Sequence, residues 1–115
     1  MTKTDKKIEK AIREALTEVC DIALDEVAGF QWLTHLVNYR RFPSSLSVIC
    51  IFASNNERSN ALLAQQDDFL RTLIQEKLSA AGIPIKDALS QVSFDTEEAC
   101  QYENEGQWQE RLAGR

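Results

Sequence analysis

The sequence predicts an α+β domain, a two-layer fold in which helices pack on a three-stranded, mainly antiparallel sheet. Three observations predict it. The run Leu46-Ser47-Val48-Ile49-Cys50-Ile51-Phe52-Ala53 is strand-length, rich in β-branched residues and bounded by the turn-formers Pro43-Ser44-Ser45 and Ser54-Asn55-Asn56. Long stretches on either side repeat apolar residues every three or four positions, as helices do. The strand-like and helix-like segments are grouped rather than strictly alternating, giving the order α-β-β-α-α-β-α. At 115 residues the chain forms one domain, 1–115. A chain of that length hides roughly two-thirds of its unfolded surface on folding, so it can hold a core without staples.

Residues 4–27 read as one amphipathic helix. Ile8, Ala11, Ile12, Ala15, Leu16, Val19, Ile22 and Ala23 form its apolar stripe, Thr4 or Asp5 is the expected cap, and Gly29 ends it. Its polar face is divided by charge. Lys3, Lys6, Lys7, Lys10 and Arg13 occupy the first half; Glu14, Glu18, Asp21, Asp25 and Glu26 occupy the second. That order opposes the helix dipole at both ends, so packing must supply the stability. Lys10 and Glu14 are spaced to pair.

Residues 30–39 suit a strand, with Trp32, Leu33, Leu36, Val37 and Tyr39 following the Gly29 break; a helix is the alternative. Residues 40–45, turned by Pro43, connect it as an antiparallel hairpin to the central strand. Alternation puts Leu46, Val48, Cys50 and Phe52 on one face of that strand and Ile49, Ile51 and Ala53 on the other. Both faces are apolar, so both need a cover. The second cover is either the C-terminal tail, through Tyr102, Trp108 and Leu112, or a second copy of the chain.

Residues 54–60 read as a polar loop. A short helix from Ala61 and a longer one capped by Asp67 then run to Gly82 and Pro84. Residues 83–89 are ambiguous. Residues 91–95 form a third strand with Val92 and Phe94 on one face. Asp95 or Thr96 starts the terminal helix, which Gly106 interrupts.

Composition narrows the function. The net charge of −5 argues against general nucleic-acid binding. Cys20, Cys50 and Cys100 are widely spaced and odd in number, which predicts reduced thiols and a cytoplasmic location. The charged stretch at 1–7 has no apolar run behind it, so no signal peptide is expected, and no apolar run approaches membrane-spanning length. No P-loop, dinucleotide fingerprint or nucleophile elbow occurs, and the single histidine excludes a two-His metal site within one chain, so no cofactor is expected.

The remaining candidates are few. His35 needs a carboxylate or nucleophile before it becomes a catalytic base, and Cys100 has a helix start but acidic neighbours. Asp95, Glu97, Glu98, Glu103 and Glu105 lack the spacing of a calcium loop and read as a solvated, helix-capping face. Lys6, Lys7, Lys10, Arg13, Arg40 and Arg41 are candidate phosphate contacts, and Trp32, Tyr39 and Trp108 candidate interface residues.

Four runs carry a family resemblance over nearly the whole chain: Thr4-Asp5-Lys6-Lys7, Ala15-Leu16-Thr17-Glu18-Val19-Cys20, the segment 32–39 (Trp-Leu-Thr-His-Leu-Val-Asn-Tyr) and the segment 92–100 (Val-Ser-Phe-Asp-Thr-Glu-Glu-Ala-Cys). They resemble a family of small uncharacterised bacterial proteins labelled as Fis-family transcriptional regulators. That resemblance implies a helix-turn-helix DNA binder, whereas the C-terminal region here is acidic and offers no basic recognition helix. The element order is similar to the type II KH or BolA-like arrangement, without the GxxG loop of nucleic-acid-binding KH domains. The resulting expectation is a non-enzymatic interaction module binding a protein partner or itself, with a nucleic-acid-associated regulator as the alternative. An enzyme would require a pocket joining His35 to Cys100 or to an acid.

Overall fold

The computed structural model describes residues 2–115. Helix α1, Lys3–Glu26, begins earlier than its sequence pattern suggests. Thr2, not Thr4 or Asp5, is the cap. Its Oγ1 accepts from the Asp5 N–H at 3.0 Å, and the Asp5 carboxylate accepts from the Thr2 N–H at 3.2 Å. A reciprocal pair satisfies two orphan donors, where a single capping side chain satisfies one.

Gly29, at φ +84°, turns the chain into strand β1, Phe30–Leu36. A Cβ there would lie 2.6 Å from the Glu57 carboxylate, so the turn needs glycine on two counts. A short 3-10 turn, Tyr39–Arg41, leads to strand β2, Ser47–Phe52. Strand β1 pairs antiparallel with β2, as the hairpin expectation requires. Strand β3, Val92–Thr96, pairs parallel with the other edge of β2. The sheet is thus mixed, with β2 in the centre.

The alternation along β2 divides the molecule. Leu46, Val48, Cys50 and Phe52 enter the main core with Ile12, Leu16 and Val19 of α1 and with Leu70, Ile74 and Leu78 of helix α3, Gln66–Ala80. Val92 and Phe94 face the same way. Ile49 and Ile51 lie outside this cluster and are fully buried nevertheless. Their neighbours across the sheet are Trp32, Thr34, Ser93 and Asp95. The chain's own C-terminal region covers that face, through helix α5, Glu97–Asn104, and helix α6, Trp108–Ala113. Trp108 meets Trp32 edge-on at 5.0 Å between ring centroids. Of the two covers the sequence allows, the tail is the one in place, through Trp108 and not through Tyr102, which is 90% exposed.

Gln31 makes this double covering possible. Phe30 pairs with Phe52 and Trp32 with Ile51, so one residue of β1 is extra. The bulge reverses the alternation, placing Phe30 and Leu33 toward the main core and Trp32 toward the tail.

The expected polar loop at 54–60 is instead most of helix α2, Asn55–Leu63. Ser54 Oγ accepts from the Glu57 N–H at 3.1 Å, so a cap converts a polar stretch into a helix that buries only Ala61. Helix α3 does not start on an Asp67 cap. Gln65 sits left-handed at φ 60° without a side-chain bond, and Asp67 lies in the first turn, where it pairs with Arg71 at 3.0 Å. The end of α3 is as expected: Gly82 is at φ +82° and the Ile83 N–H reaches the Leu78 carbonyl. The ambiguous 83–89 segment places Ile83 and Ile85 in the core before the one-turn helix α4, Ala88–Gln91. No helix among the described residues is long and apolar enough to cross a membrane.

Candidate functional site: a carboxylate-anchored basic surface

Glu9 is the pivot of the surface formed by α1 and the segment after β1. It is held by three elements. Tyr39 Oη donates to its carboxylate at 2.6 Å, and His35 Nε2 lies 2.9 and 3.1 Å from its two oxygens. Arg13, one turn along α1, approaches to 3.8 Å. His35 therefore has the acidic partner that neighbouring sequence does not supply. Parity explains the meeting, because His35 follows Leu33 on the α1-facing side of β1. Burial pushes the Glu9 carboxyl up, but the Tyr39 hydroxyl, His35 and Arg13 outweigh it and hold the group below its ordinary 4.5. Burial and the bond to Glu9 push the Tyr39 hydroxyl up to about 12, so it is a fixed donor.

This network positions charge. Arg40 and Arg41 follow Tyr39 directly, so the Tyr39–Glu9 bond brings them to the lysine-bearing half of α1. Lys6, Lys10 and Arg13 recur at four- and three-residue spacing, on one side of that helix. All of these, with Lys3 and Lys7, are exposed. The Lys10–Glu14 pair forms at 3.8 Å with both side chains largely solvated, so it neutralises little of the charge. Only Asp5 and Glu9 of the acids of α1 fall among its five basic residues at 3–13, and the other five acids follow from Glu14 onward, which leaves an excess of positive charge at this end of the helix in an acidic protein.

Beside this surface an open groove of about 400 Å³ runs between α1 and β1. Leu16, Cys20 and Leu33 give it an apolar lining; Arg13, Thr17, Asp21, Thr34 and His35 add polar groups. Cys20 is partly exposed, and burial and then Asp21 push its thiol up, so it is no activated nucleophile. Cys100 is fully buried on α5, in the tail layer, and is not brought to His35.

The interface candidates are engaged within the chain. Glu97 accepts from both indoles, from Trp32 Nε1 and from Trp108 Nε1 at 3.2 Å. The acidic group at 95–105 is only partly solvated. Asp95 is buried and takes two bonds from Arg111, at 2.6 and 2.9 Å, and one from Arg115 at 3.2 Å. Arg111 also bonds Glu103 and Asn104. Burial pushes the Asp95 carboxyl up, yet Arg111, the Thr96 N–H and Arg115 together hold it below its ordinary 3.8. Sequence reasoning assigned no role to Arg111 or Arg115. The signal available was Asp95 itself, which shares a face with Trp32 and Ile51 and so needs a cation.

Among the described residues no group of three or more His, Cys, Asp or Glu side chains could hold a metal ion. Comparison with known proteins finds no matching family model, no matching curated protein and no matching solved structure.

Proposed function

We propose that the protein is a non-enzymatic module that binds nucleic acid through the basic surface of α1 and the 39–41 turn. The observation that carries this reading is the Tyr39–Glu9 bond, which joins Arg40 and Arg41 to the Lys6, Lys10 and Arg13 side of α1. Phosphate binding needs several cations on one surface, and a negative total charge does not prevent it when that charge lies elsewhere. Self-association through an open sheet face loses its motive, because the tail fills that face.

The test is fluorescence anisotropy of labelled oligonucleotides. The expected result is binding that weakens steeply between about 50 and 200 mM salt. Lys6→Glu with Lys10→Glu, or Arg40→Glu with Arg41→Glu, should weaken it about tenfold or more and reduce the salt slope by roughly one for each phosphate no longer neutralised. These side chains are exposed, so unfolding free energy should change by less than about 0.5 kcal/mol for each. No binding at 50 mM salt, or binding indifferent to the four reversals, rejects the proposal.

A second reading, a protein partner or a second copy, rests on the corner between α2 and α3. Leu63 is 84% exposed, with Leu62 and Phe69 also exposed nearby in the chain. If copies meet there, sedimentation should show a mass that rises with concentration and returns to monomer in Leu63→Asp. A monomer mass at every concentration removes the second copy from this reading.

A further inference from the structure

We propose that the groove between α1 and β1 receives a base of a single-stranded nucleic acid, an inference that rests on the phosphate-binding reading of the adjoining surface. Two features of the groove point beyond phosphate. Its lining is apolar at Leu16, Cys20 and Leu33, which a phosphate does not need and a base does. It also carries the two side-chain types that stack on bases, a guanidinium from Arg13 and an imidazole from His35. Glu9 holds His35 at 2.9 Å, so the imidazole is positioned before any ligand arrives, while Arg13, 3.8 Å from Glu9 and largely solvated, is free to move onto a base. Arg13 belongs to the basic surface and to the groove at once, so a strand whose phosphates follow Lys6, Lys10 and Arg13 has a base at the groove entrance.

A duplex keeps its bases paired and stacked, and offers this groove only backbone. Single strands are therefore the class that gains from it. Asp21 lines the groove with a carboxylate, which accepts hydrogen bonds and donates none. Adenine offers that carboxylate the two N–H of its exocyclic amino group where uracil offers only its N3–H, so adenine is accordingly preferred to uracil.

Cys20 provides the test without any substitution. It is the one partly exposed thiol, because Cys50 and Cys100 are both fully buried. Alkylation by N-ethylmaleimide would be followed in the intact protein, free and saturated with an oligoadenylate of about ten nucleotides or with a duplex of equal length. The single strand should slow alkylation about fivefold or more and the duplex should not, and the alkylated protein should lose about tenfold in affinity for the single strand alone. Asp21→Ala, which removes the acceptor, should erase the preference for oligoadenylate over oligouridylate while leaving the Lys6 and Lys10 salt dependence intact. Equal affinity for single strand and duplex, or unchanged alkylation at saturation, overturns the groove assignment and leaves phosphate binding standing. Failure of both oligonucleotides to bind overturns the two together.

Discussion

Arg111→Ala should destabilise the protein by about 3 kcal/mol, because it leaves a buried carboxylate without its main cation. Asp95 is 5% exposed and lies against Ile51 in the sheet. Arg111 supplies two of its three charged hydrogen bonds, and Arg115, the third partner, is the more exposed of the two arginines. The loss should be smaller in Arg111→Lys, which keeps the charge but not the paired donors. The double variant Asp95→Asn with Arg111→Met should recover part of it, since an unpaired buried charge costs more than an absent pair. The sign of the pH effect follows from the depressed Asp95 carboxyl. Its contribution is fully present above the ordinary value of 3.8 and is lost as pH falls through the lower folded value. The difference between wild type and Arg111→Ala in urea unfolding should therefore be constant near neutrality and shrink in acid. A difference below about 1 kcal/mol at pH 7 would mean that Arg115 and water suffice for Asp95.

Ile51→Ala should cost about 3 kcal/mol, as large as a comparable truncation of Ile74 in the main core. Both side chains are fully buried, yet they lie in different clusters. The expected equality says that the sheet's second face is a true interior, closed by Trp32, Trp108 and the α5–α6 segment. Removing residues 107–115 should expose Ile49 and Ile51 together and cost more than either alanine substitution alone, with increased binding of a hydrophobic dye. If Ile51→Ala costs less than about 1 kcal/mol, the tail is a loose cover and not a second core. Leu63→Ala, at a side chain already in water, is the reference near zero.

What could be read from the sequence, and what could not, divides by range. The two apolar faces of β2, the apolar stripe of α1 and the Gly82 stop follow from spacing within a few residues, and the structure has all three. Helix α2 escapes such a reading because its sequence is polar and its helical signal is the Ser54 cap, which also reads as a turn former. The candidate site was half legible. Lys6, Lys10, Arg13, Arg40 and Arg41 are visible as charges, but what joins them is a carboxylate 26 residues before His35 and 30 before Tyr39. Glu9 looks like any solvated acid until the hairpin folds back on α1. The tail repeats the lesson, since Glu97 meets Trp32 across 65 residues and Arg111 meets Asp95 across 16. Spacing arguments end where the contact depends on register between elements.

The division of charge along α1 has a consequence for how a polyanion would arrive. The molecule measures 40 × 28 × 22 Å, comparable to the Debye length of about 30 Å at 0.01 M ionic strength. In such dilute buffer an approaching strand feels the whole net charge of −5 and is repelled. Near 0.15 M the reach of each charge falls to about 8 Å, and the strand feels only the end it meets. Ions in solution then hide the acidic half from a ligand at the basic half. The encounter rate should therefore peak at intermediate ionic strength, giving an acidic protein a kinetic window in which it behaves as a basic one.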